Sequence, residues 1–160
     1  MSQLKEYQNK ILSLLIQQEL LVAELYRFFS SLYPETRDFW NELAREEMEH
    51  ATWVEYLQTK AQSSEVEFRE DQLKTYTVDS FVKYLQDSIA KVKEKAPAQQ
   101  AAFALAIGIE NSLLVKKIFD RFHSTDKELG MLIRKLQDGL HEHRQRIEKM
   151  AGSSPAASRP

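Results

Sequence analysis

Apolar residues recur along this chain in alternating steps of three and four, the spacing of one face of an α-helix. Little interrupts that recurrence, because the 160 residues hold only 4 glycines and 4 prolines, with long stretches free of both. An all-α fold follows. The first pattern spans about 3–32 and stops before Pro34. Ile11, Leu15, Val22, Leu25 and Phe29 form one face, opposite Lys10, Ser13, Gln17, Glu24, Arg27 and Ser31. The second spans about 35–61, with Trp40, Leu43, Glu47, His50, Val54 and Leu57 on its inner stripe. Residues 62–76 read as an extended connector. Thr77 to Ser80 offer caps for a short amphipathic helix through Phe81, Val82, Leu85, Ile89 and Val92. Pro97 opens a further helix to about Phe122. The last runs from about 126 to 150 on Leu129, Ile133, Leu136, Leu140, His143 and Ile147. A small, polar segment, 151–160, reads as a disordered tail.

These patterns predict one domain over 1–150. It consists of two helical hairpins, turning at Tyr33-Pro34 and Ser124-Thr125, joined by a partly helical connector long enough to cross the length of a bundle. An up-and-down bundle of five helices is the rival arrangement. The formal net charge of -2 gives no pull toward nucleic acid or an anionic membrane. With no cysteine in the chain, thiolate metal sites, iron–sulfur clusters and thiol nucleophiles are excluded. The opening residues lack the apolar core of a signal peptide, and the run from Ala101 to Ile109 is too short for a membrane span. A cytoplasmic protein is expected.

Apolar residues on an inner stripe need no explanation; polar ones do. Glu47 and His50 sit between Leu43 and Val54, one helical turn apart, where both side chains can reach one ion. A carboxylate buried alone costs several kcal/mol unless it is paired, protonated or bound to a metal. Glu46 and Glu49 fall toward solvent. On the first helix, Glu19 flanks the apolar face and Glu24 lies on the polar one. Glu19 and Glu47 are each about twelve residues, or about 18 Å, from the first turn, so they meet at one level, which Glu24 misses by about 7 Å. Glu110 sits among Phe103, Ile107, Leu113 and Leu114, about thirteen residues before the second turn. His143 lies on the last inner stripe between Leu140 and Ile147. The candidate metal ligands are therefore Glu19, Glu47, His50, Glu110 and His143. A distortion near Gly139 would instead turn Asp138 and His141 inward. The plainer reading is a buried polar network without metal.

Glu19 with Tyr26, LAREEMEH from Leu43 to His50, and IENSLL from Ile109 to Leu114 together resemble the rubrerythrin branch of the ferritin-like superfamily. The resemblance spans about residues 5–150. It implies an antiparallel four-helix bundle with a long crossover and a dinuclear centre of iron, with manganese or zinc as alternatives. It implies redox chemistry toward peroxide or dioxygen, and Glu19, Glu47, His50 and Glu110 as ligands. The family pattern also has a carboxylate three or four residues before its last histidine, where this chain has Leu140 and Gly139, and a further one near Val115. No rubredoxin-type domain is present, so a redox role requires an external electron donor. Tyr26, Trp40 and Tyr56 lie near the site's level and read as core packing. Ile16 and Leu20, apolar outside the main stripe, suggest a homodimer face or a seat for the crossover. A non-catalytic interaction protein and an iron storage or delivery protein are the competing functions.

Overall fold

The computed structural model describes residues 4–71 and 73–153. Five helices make up almost all of it: α1 (Glu6–Leu32), α2 (Arg37–Gln62), α3 (Thr75–Glu94), α4 (Gln99–Lys116) and α5 (Lys127–Ser153). α1 and α2 form one antiparallel hairpin, and α4 and α5 the other; α3 packs along α1. The fold is all-α apart from one two-residue ladder.

The chain reverses where the sequence breaks the helical pattern. Tyr33 leaves helical geometry and Pro34 opens a 3₁₀ turn, Pro34–Thr36, before α2 begins. Proline suits that first position because it has no N–H to leave unsatisfied. The Tyr33 hydroxyl donates to the Pro97 carbonyl at 2.5 Å, which ties this turn to the start of α4. Lys93, near the end of α3, pairs with Glu24 of α1 at 3.0 Å. α3 therefore carries the chain from the far end of the first hairpin back to the Pro34 end.

That far end departs from expectation. α4 stops at Lys116 rather than near Phe122, because Lys117 takes a left-handed conformation, φ 48°, and a 3₁₀ turn, Ile118–Arg121, follows. Residues 62–76 are not merely a connector. Glu67–Phe68 (β1) pairs antiparallel with Phe122–His123 (β2), and the Phe68 and Phe122 rings meet at 5.2 Å. The ladder closes the end of the bundle, buries Phe68, Ile118, Phe119 and Phe122, and joins the two hairpins. Helical periodicity carries no trace of so short a pairing. At the other terminus α5 continues through Ser153, past the expected start of the tail at 151; residues 154–160 lie outside the described residues.

The core is one continuous cluster running from Ile11 to Ile147. Its densest part surrounds Trp40, whose ring lies 5.0 Å from Phe29, 5.3 Å from Tyr26 and 5.4 Å from Phe103, joining α1, α2 and α4 in one contact. Trp40→Ala should cost about 3–5 kcal/mol, because three rings lose their common partner and the helices cannot close over the gap. Chemical denaturation of the metal-free protein measures it; a loss below about 1 kcal/mol would show that the inter-helix contact lies elsewhere.

Candidate metal centre

Four helices each send polar side chains to one interior level beside the Trp40 cluster. α1 supplies Glu19, α2 supplies Glu47 and His50, α4 supplies Glu110 and α5 supplies His143. All five are buried, and Glu19, Glu47 and Glu110 have no solvent exposure. α3 contributes none of them. The helical phase explains the selection: each residue stands in line with apolar neighbours that face the core, such as Val22 for Glu19, Val54 for His50 and Ile147 for His143.

Glu47 is the hub. The His143 Nδ1 lies 2.7 Å from its Oε1, and the His50 Nδ1 lies 3.4 Å from its Oε2. Glu110 Oε1 is 3.8 Å from the same His143 nitrogen and accepts a hydrogen bond from the Tyr26 hydroxyl at 2.6 Å. The two imidazoles lie nearly face to face, 5.1 Å between centroids with planes 22° apart. The ligand atoms of Glu47, His50 and His143 fall within 4.8 Å of one another.

Much of this donor capacity has no protein partner. Both Glu19 oxygens, Oε2 of Glu47, Oε2 of Glu110 and Nδ1 of His50 are buried without a hydrogen bond. An unpaired buried acceptor costs about 1–3 kcal/mol, more if charged. Burial and the neighbouring Glu47 hold the Glu19 carboxyl well above the usual carboxylate range. Burial pushes Glu47 up to about 7, and burial with the Glu47 charge pushes Glu110 up to about 8. His50 shifts down, chiefly because burial disfavours imidazolium. Each group resists its charged form, and a cation held by Glu47, His50 and His143 would offset part of that cost. Nitrogen and oxygen donors in this mixture fit iron, manganese or zinc. The residues present therefore fit a divalent metal.

The positions set aside on helical phase behave as expected. Glu24 and Glu49 are exposed and pair with Lys93 and Arg45, and Asp138 and His141 face solvent, so His143 is the residue that α5 turns inward. Tyr26 and Trp40 are fully buried, but Tyr56 is 48% exposed and belongs to the surface. Val115 is 80% exposed, so a carboxylate there would not point into the cluster. Glu46 differs from expectation: it is half-buried and bonded to Arg146. A residue one step off the inner stripe is shielded when a long cation from the facing helix folds over it, and spacing within one helix does not show that.

Gly139 explains how His50 fits. A Cβ at Gly139 would lie 2.9 Å from His50 Cε1 and 3.0 Å from Nε2, so the imidazole occupies the notch that the missing side chain leaves in α5. Beside it a cleft of about 290 Å³ opens between α2 and α5, and both histidines line it together with Glu46, Trp53 and Asp138. The cluster is sealed on the side of α1 and α4 and reachable on this one.

Comparison with protein families, characterised proteins and solved structures finds none that matches the chain. What stands is an all-helical protein with a buried glutamate–histidine cluster able to hold a metal ion. No described helix is long and apolar enough to cross a membrane.

Two outcomes follow from this geometry. Glu47 and Glu110 keep protons in the folded protein after the unfolded chain has lost them, so their effect is a stability that falls as pH rises from about 4.5 to about 8. His50 acts oppositely, its contribution fading as pH drops through the ordinary histidine value of 6.5. The carboxyls outweigh it, so calorimetry should find the metal-free protein melting higher at about pH 6 than at about pH 8.5, with a flatter profile in Glu47→Gln. Separately, Gly139→Ala should displace the His50 ring. Its imidazole resonances should move while those of His123 stay put; unmoved His50 signals would show the notch to be idle.

Proposed function

We propose that Glu19, Glu47, His50, Glu110 and His143 hold divalent iron in a rubrerythrin-like centre that reacts with peroxide or dioxygen, with manganese or zinc as alternative occupants. One observation carries this reading: buried, unpartnered donor atoms on Glu19, Glu47, His50 and Glu110 converge from three helices beside the imidazole of His143. Apolar packing alone gives a helical bundle no reason to gather them. In this reading the first and second hairpins form a ferritin-like four-helix bundle, and α3 is its crossover.

Bound iron would supply the electrons for reduction of an oxidant. The chain's own residues set the conditions. Glu47 and His50 project from one turn of α2, and His143 meets them from α5, so the donor set is fixed by helix packing rather than by a loop. Glu19 and Glu110 balance cationic charge and hold protons. The Tyr26 hydroxyl orients Glu110 through its hydrogen bond. The wall of α1 and α4 excludes water, while the α2–α5 cleft admits a small oxidant to the histidine side. Electrons come from an external donor, because the chain has no cysteine to bind an iron–sulfur or rubredoxin-type centre. A homodimer is part of the proposal, with Leu20, 46% exposed on α1, on the surface it would use.

A second reading has support of its own. The Glu47–His143 and Tyr26–Glu110 hydrogen bonds close part of the network without an ion. A bundle that uses this core to fix helix register, and its outer surface to bind a partner, would keep them.

Metal uptake separates the two. Anaerobic titration with ferrous iron should reach about two ions per chain for a dinuclear centre, or about one for a single site. At a hundredfold excess over Kd, binding should add about 2.7 kcal/mol of stability, and absorbance should appear on exposure to oxygen. Glu47→Ala should abolish uptake, whereas Glu24→Ala and Glu49→Ala should leave it intact. No uptake and no thermal shift with iron, manganese or zinc would discard the metal reading in favour of the structural one.

A further inference from the structure

Arg27 follows Tyr26 on α1, and Met48 follows Glu47 on α2. Each stands one position outside the buried cluster. Their side chains meet across the seam of the first hairpin, where Arg27 Nη2 donates to Met48 Sδ at 3.0 Å. Among the described residues no carboxylate pairs with Arg27. Glu24, three residues before it, pairs with Lys93, and Glu49, beside Met48, pairs with Arg45. A thioether sulfur is a weak acceptor. An exposed guanidinium is thus held by one of the weakest acceptors a side chain offers.

Oxidation reverses that weakness. Met48 is 42% exposed, so a small oxidant reaches its side chain from solvent. Its sulfur attacks one oxygen of hydrogen peroxide, and an S–O bond forms as the O–O bond breaks. Sulfur gives up two electrons and the peroxide is reduced. The proton on the transferred oxygen passes to the departing hydroxide, which leaves as water. The product is a sulfoxide. Its oxygen carries partial negative charge, and a hydrogen bond to it from a guanidinium is charge-assisted. In a core the added oxygen disrupts packing. At Met48 the side chain is already half in water, and a cation without a carboxylate lies beside the sulfur.

We propose that Met48 is an oxidation site for hydrogen peroxide and that Arg27 captures the sulfoxide oxygen, tightening α1 against α2 beside the buried cluster. The step uses no metal and does not rest on the metal reading above.

The competing explanation is a surface methionine whose oxidation changes nothing in the fold. Metal-free protein, kept with a chelator to suppress radical chemistry, is treated with hydrogen peroxide. Peptide masses locate the added oxygen, and thermal melting reads its effect. Met131, 55% exposed, is the internal reference for reach by the oxidant. Met48 should gain one oxygen while Met131 does. Oxidation should then raise the melting temperature by about 2–4 °C, the scale of one hydrogen bond in a chain of this length. That rise is measured against Met48→Leu treated in the same way, which removes the contribution of the other methionines. It should vanish in Arg27→Leu. Met48 left unoxidised after Met131 is converted overturns the proposal. So does an oxidised wild type that gains nothing over Met48→Leu, or a rise that persists in Arg27→Leu. The peptide masses come from the wild-type protein alone and stand whether or not a variant folds.

Discussion

Bringing three carboxylates into a helical core is the constraint on which the rest of this structure depends. Glu19, Glu47 and Glu110 are wholly removed from water, and desolvating each charged form is expensive. Such groups persist only if the surroundings neutralise or satisfy them. The two imidazoles and the Tyr26 hydroxyl go part of the way, and the unpartnered oxygens show how far short they fall. Protonated Glu19 or Glu110 can share its proton with Glu47, and a cation could engage several of these oxygens and nitrogens at once.

Everything outside the cluster then acts to keep five side chains at one level. Trp40 packs α1, α2 and α4 together immediately beside the site, so sliding one helix would have to break a ring contact. The two ends are pinned independently. Tyr33 bonds to Pro97 at one end, and the Phe68–Phe122 ladder joins the hairpins at the other. With both ends fixed and α3 laid along α1, contacts outside the polar cluster also hold the register between the hairpins.

The helices and the inward side chains were legible in the sequence for one reason: a polar residue on an apolar stripe is a local anomaly. Glu47, His50, Glu110 and His143 each interrupt a run that otherwise reads as core, and turn-to-site distances choose Glu19 over Glu24. What stayed hidden is non-local. The β1–β2 ladder depends on a left-handed residue at Lys117 and on two strands of two residues each, too short for any period to register. Glu46 looked solvated because its burial comes from Arg146, a hundred positions away in the chain and on the facing helix. Tyr56 looked internal because it sits one step from Leu57, and only the packing shows which of the two faces out.

Gly139 shows how α5 makes room for the cluster. Glycine within a helix costs about 1 kcal/mol relative to alanine, so a position under no steric demand would be filled more cheaply. Gly139 instead receives the edge of the His50 ring, so that a Cβ there would lie 2.9 Å from it and the ring would have to shift. The space beside α5 at this level is filled by a side chain from α2. The two halves of the site are thus unequal by construction. α2 provides a carboxylate and an imidazole, α5 provides an imidazole alone, and the space that would make them equal is already taken. A carboxylate placed at 139 would displace His50, exchanging one polar group of the cluster for another rather than adding to it.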